Sequence, residues 1–123
     1  KALADSAPGR WFTPSFVSAQ QATVQAVQAV LEGISPEGYA SCCEALALSD
    51  LRADLKHIKV RTLLVAGAHD PVTTEADADA MQVSIPGART MVLKTSHLSN
   101  LEAPQVFNRT ILDFISDSFG TKK

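Results

Sequence analysis

The chain has 123 residues, with 46% hydrophobic and 20% charged side chains and a formal net charge of −2. This is the balance of one modest soluble globular domain, not of a disordered or fibrous segment. With near-neutral charge, no Lys/Arg run and no apolar run near the roughly 20 residues that span a bilayer, neither nucleic acid nor a membrane is an expected partner.

In chain order, residues 2–10 read as a helix that ends before Trp11, Phe12 and a Thr13-Pro14 turn, because a residue preceding proline is pushed out of the α region. Residues 19–31 read as a second helix, with Val24, Val27, Val30 and Leu31 at helical spacing on one apolar face and Gly33 closing it. Ser35 offers an N-cap oxygen, with Pro36 at the first helical position after it. The helix that follows carries Tyr39, Cys42, Cys43 and Leu46 along one face, so the two thiols are expected core-facing or half-buried. Adjacent cysteines make neither a disulfide framework nor a metal-ligand spacing, and they fit a reducing, cytoplasmic setting. Ser49 and Asp50 are placed to cap a further short helix with Leu51 and Leu55 inside. Four such short helices bury little by themselves and call for a larger partner surface.

The texture changes near residue 57. Residues 62–67 (TLLVAG) form a continuous apolar run closed by glycine, as a strand buried on both faces of a parallel sheet would read. After the loop 68–72, Thr73 or Thr74 can cap a helix reaching Ser84, with Ala76, Ala80, Met81 and Val83 available for packing. Pro86-Gly87 breaks that helix, and residues 90–93 form a second strand. A last helix is expected over residues 103–119, with Pro104 in its first turn and Val106, Ile111, Leu112, Phe114 and Ile115 on its apolar side.

Strand, helix, strand, helix is the order of parallel α/β architecture, and ligand sites in such sheets lie outside the carboxyl ends of the strands. Asp70 follows the first strand and His97 the second, so adjacent strands would bring both to one sheet edge. That pair suits nucleophilic catalysis. A weak hydroxyl nucleophile needs a base, imidazole can take and return its proton, and a buried carboxylate on the other ring nitrogen fixes the tautomer. The order acid then His is that of hydrolases whose nucleophile comes first in the chain. His57 reads as a solvated junction residue and His69 as a residue shaping the turn at Asp70. The three histidines have no recurrent metal-ligand spacing, so no metal site is expected.

Residues 60–71, VRTLLVAGAHDP, and 95–104, TSHLSNLEAP, resemble the acid-bearing and His-bearing loops of the α/β-hydrolases. Together with residues 37–55, EGYASCCEALALSDLRADL, they most resemble the 3-oxoadipate enol-lactonase family. The resemblance implies a helical cap over residues 1–56 and the C-terminal part of the α/β-hydrolase core over 57–123. It implies hydrolysis of a lactone, 3-oxoadipate enol-lactone to 3-oxoadipate in the β-ketoadipate pathway of aromatic degradation, with no cofactor. Asp70 takes the place of the acid and His97 that of the base. Arg10 and Trp11 face the substrate, with Leu98 lining the pocket and Tyr39 as a further candidate. A guanidinium suits the free carboxylate of such a lactone, and an indole suits its ring.

No G-x-S-x-G elbow occurs in the sequence, and Ser96 and Ser99 belong to the His loop. The nucleophile and oxyanion hole are therefore expected on an N-terminal half of the same hydrolase, as a second chain or a missing segment, and this chain alone is expected to be inactive. Another α/β-hydrolase activity (esterase, C–C bond hydrolase, haloperoxidase-like) and a non-catalytic binding protein on the same fold are the alternatives.

Overall fold

A computed structural model of the chain describes residues 2–116. Residues 2–10 form two helices where one was expected, α1 (Ala2–Ser6) and α2 (Pro8–Trp11). Pro8 has no N–H to continue the ladder, so a new helix starts there. Thr13 is extended, as the following proline favours, and its hydroxyl accepts from the Phe16 N–H to cap α3 (Pro14–Ala19). The long helix α4 (Gln21–Glu32) lies against α1, burying Val24 beside Ala4 and Ala7, with the Gln28 amide donating to the Ala4 carbonyl at 3.1 Å. Gly33 closes α4 with right-handed backbone.

Ser35 caps α5 (Pro36–Leu48) through the Gly38 N–H, as the sequence predicts. The expected burial along α5 is not found. Every residue from 36 to 48 is exposed, including the free thiols of Cys42 and Cys43. The helix is regular in backbone, and among the described residues nothing covers its apolar side. The segment after it is a 3₁₀ helix, Arg52–His57, in which Leu55 is half-buried but Leu51 is exposed. Asp50 anchors its start by accepting from the Arg52 N–H and pairing with the guanidinium at 2.6 Å, which holds its carboxyl down at about 2.

The core is a two-stranded parallel sheet. Strand β1 (Leu63–Gly67) pairs with β2 (Arg89–Leu93), Leu63 opposite Arg89 and Gly67 opposite Leu93. The connection is α6 (Glu75–Ser84), started by a capping box in which Thr74 and Asp77 bond reciprocally. Those bonds from the Thr74 N–H and hydroxyl hold the Asp77 carboxyl below its ordinary range. Ala76, Ala80, Met81 and Val83 are exposed, against expectation, and Ala78 and Ile85 face inward instead. Gly87 supplies the left-handed backbone, φ 74°, that returns the chain into β2.

The final segment divides into α7 (Ser99–Glu102) and α8 (Pro104–Ile115), because Pro104 restarts the ladder. In α8, Thr110 is buried and Phe107, Ile111 and Phe114 are half-buried, whereas Val106, Leu112 and Ile115 are exposed. Two strands cannot cover the whole apolar stripe. Residues 117–119 of the expected helix lie outside the described residues. Among the described residues no helix is long and apolar enough to cross a membrane.

Candidate active site

The loops that follow β1 and β2 run side by side. The Ala68 N–H donates to the Leu93 carbonyl at 2.8 Å and the His69 N–H to the Thr95 carbonyl at 2.9 Å. Gly67 permits this approach. A Cβ there would lie 2.3 Å from the Ser96 carbonyl oxygen and 2.7 Å from that of Thr95. The parallel register thus delivers Asp70 and His97 to the same sheet edge.

Asp70 is buried and its carboxylate is surrounded by donors. Oδ1 accepts from the Val72 N–H at 2.7 Å and the Thr73 N–H at 3.1 Å. Oδ2 accepts from the Thr73 hydroxyl and from His97 Nδ1, each at 2.8 Å. Burial pushes the carboxyl up, but the bonds from His97, Val72 and Thr73 outweigh it and hold Asp70 below its ordinary value. An ionised carboxylate only accepts, so the proton of the neutral imidazole lies on Nδ1, leaving the lone pair on Nε2. Of the two threonines offered as helix caps, Thr74 caps α6 and Thr73 binds the acid instead.

His97 is half-buried, with the Trp11 ring 6.3 Å from its own and tilted by 32°. Its loop is pinned on both sides. The Leu98 N–H donates to the Trp11 carbonyl at 3.1 Å, and the Ser96 hydroxyl to the Arg10 carbonyl at 3.1 Å. The Ser96 N–H donates to Glu102 Oε2 at 2.8 Å, and Thr95 and Ser99 share a hydroxyl–hydroxyl bond of 2.8 Å. Ser96 and Ser99 are buried; the Ser96 hydroxyl reaches out of the loop to the Arg10 and His69 carbonyls, whereas that of Ser99 bonds to Thr95 and Ser96 within it.

Of the residues singled out in the sequence, Asp70, His97 and Trp11 come together directly, and half-buried Leu98 follows the imidazole. Arg10 meets the His loop through its carbonyl, whereas its exposed guanidinium reaches the Ser6 hydroxyl at 3.5 Å. Tyr39 is exposed on α5. Its hydroxyl is pushed up by the Cys43 thiol, and the Arg10 charge acts in the opposite sense. His57 and His69 are exposed, His69 lining an open cleft with Phe12, Thr13, Pro14, Pro71 and Ser96. Among the described residues no cluster of three or more His, Cys, Asp or Glu side chains gathers for a metal.

Two residues escape the sequence reading. Thr73 was legible only as a cap. Glu102 had one signal, a lone acid in the otherwise uncharged stretch after His97.

No protein-family model matches the chain. Over 109 residues it is 45% identical to 3-oxoadipate enol-lactonase 2 of Acinetobacter baylyi, covering 89% of this chain and 41% of that protein. Enol-lactonase 1 of the same organism is 37% identical over 113 residues, covering 92% of this chain and 42% of the relative. The crystal structure of the enol-lactonase from Burkholderia xenovorans LB400 superposes with a TM-score of 0.91 at 37% identity, covering 94% of this chain and 44% of that one. The chain therefore spans about two fifths of the length of the curated relatives it matches. With its parallel strands and flanking helices, and its superposition on the Burkholderia structure, the chain has the fold of the C-terminal part of an α/β-hydrolase.

Proposed function

We propose that this chain supplies the acid and base of a carboxylic-ester hydrolase that opens 3-oxoadipate enol-lactone to 3-oxoadipate. The observation that carries the reading is the Asp70–His97 bond of 2.8 Å at two parallel strand ends, in a chain 45% identical to an enol-lactonase. Residues 1–56 act as the helical cap and 57–123 as part of the core. The nucleophilic serine and the oxyanion-hole N–H groups come from the N-terminal half of the same hydrolase, and the protein works in the cytoplasm.

In this mechanism the serine hydroxyl attacks the lactone carbonyl while His97 Nε2 takes its proton. Asp70, bonded to Nδ1, stabilises the imidazolium. Backbone N–H groups hold the tetrahedral oxyanion. Collapse breaks the ring C–O bond, and His97 returns its proton to the leaving enol oxygen, after which the enol becomes the ketone. Water, deprotonated by His97, then attacks the acyl-serine, and the second collapse releases the carboxylic acid and restores the serine. Arg10 binds the free carboxylate of the substrate, Trp11 covers its ring, and Leu98 lines the pocket.

Enol-lactone hydrolysis by the whole enzyme and its His97→Ala variant tests the reading. Removing the base should lower kcat by about 10²-fold or more. Unchanged turnover in the variant refutes the assigned base, and a whole enzyme inert towards the lactone refutes the substrate.

A further inference from the structure

We propose that Glu102 is a positioning residue that keeps the base loop and the segment carrying Arg10 and Trp11 in one register. The inference rests on the reading of His97 as the base and Arg10 as a substrate-binding group. Glu102 ends α7 and is half-buried. Its Oε2 accepts from the Ser96 N–H at 2.8 Å, one residue before His97. Its Oε1 accepts from the Thr13 N–H at 3.3 Å and from the Thr13 hydroxyl, two residues after Trp11 and 89 residues away in the chain. One carboxylate thus spans two segments that meet nowhere in sequence.

Three donors converge on two oxygens, and a carboxylate is the side-chain group that only accepts. Thr13 is also the N-cap of α3, so the grip on Thr13 fixes where α3 begins. The grip on Ser96 fixes the backbone that aims the imidazole. Two further bonds, Leu98 N–H to the Trp11 carbonyl and Ser96 hydroxyl to the Arg10 carbonyl, hold the same two strips edge to edge. The Glu102 side chain grips both strips from outside them.

An amide and a methyl separate the two arms. In Glu102→Gln the carbonyl oxygen can still accept from Ser96, but the NH2 then faces the Thr13 donors. Glu102→Ala loses both arms. In the whole enzyme, Glu102→Gln should raise KM for the lactone several-fold with kcat within about twofold, and Thr13→Ala should do the same. Glu102→Ala should raise KM and also lower kcat by about tenfold, consistent with the cost of a small misplacement at a reacting centre. On the neutral ester 4-nitrophenyl acetate, the KM effect should vanish and the kcat effect of Glu102→Ala should remain. If the lactone is not a substrate, the nitrophenyl ester still reads the base arm, so a wrong substrate and a wrong clamp give different results. Independently of turnover, the nuclear Overhauser contact between the Trp11 and His97 rings should weaken in Glu102→Ala. Variants that keep this contact and wild-type kcat and KM overturn the proposal, as does a loss confined to thermal stability. Should Glu102→Ala fail to fold, the KM-only change in Glu102→Gln and Thr13→Ala decides the matter.

Discussion

Gly67→Ala asks whether the close approach of the two loops sets the geometry of the acid–base pair. The added methyl carbon would lie 2.3 Å from the Ser96 carbonyl oxygen and 2.9 Å from its carbonyl carbon, where ordinary contact begins at 3.4 Å. Both atoms are backbone, so no side-chain rotation relieves the clash, and the His loop must move by about 1 Å. The loop is tethered at Ala68, His69, Leu98 and Ser96, so the displacement strains several hydrogen bonds. Overpacking of this kind costs about 1–3 kcal/mol. In a protein of 150–250 residues that lowers Tm by roughly 2–4 °C per kcal/mol. His97 is the next residue, and a 1 Å misplacement in an active site can cost on the order of 10²-fold in rate. Differential scanning fluorimetry and lactone turnover on the whole enzyme measure the two effects. A Gly67→Ala enzyme with wild-type Tm and kcat would show that the loops are not locked by this contact.

Asp70→Asn should lower kcat on the order of 10²-fold or more, because the amide no longer fixes the Nδ1–H tautomer; turnover within a few-fold of wild type would refute the role of Asp70. The same variant tests the electrostatics. Asp70 is held below its ordinary value in the fold, so its contribution to stability is complete above the unfolded carboxyl pKa of about 3.9 and fades as pH falls through the lower folded value. Urea unfolding from pH 6 downwards should therefore show wild type and Asp70→Asn converging only below about pH 4; parallel curves throughout would contradict the shift. Thr74→Ala removes the hydroxyl half of the capping box on α6 and should cost about 1 kcal/mol, with Thr74→Ser largely restoring it. Equal stability of the Ala and Ser variants in chemical denaturation would rule out the cap.

The acid and the base were legible because each follows a glycine-closed or short apolar strand, and parallel pairing then leaves one place for both. Helix starts were legible from local chemistry at Ser35 and Thr74, whereas the equally local Thr13 cap of α3 was legible only as a turn. Three kinds of feature were not. Glu102 and Thr13 meet across 89 residues, a distance no local pattern encodes. Thr73 has the side chain of a cap and is captured by Asp70 three residues earlier. Burial on α5, α6 and α8 was misjudged for one reason. Apolar spacing marks the side of a helix that wants cover, while the cover itself depends on neighbouring surface. Leu46, Val83 and Leu112 find none among the described residues.

The attachment of the cap to the base loop has a consequence for how such a site can change. The bonds that tie residues 10 and 11 to the His loop use their carbonyls, accepting from the Ser96 hydroxyl and the Leu98 N–H. Every amino acid carries that carbonyl. Substitutions at 10 and 11 can therefore replace the side chains while these two bonds remain available. Side-chain identity and attachment reside in different atoms of the same two residues, so under the binding roles proposed for Arg10 and Trp11 the substrate-facing groups can vary at little cost to the Asp70–His97 geometry.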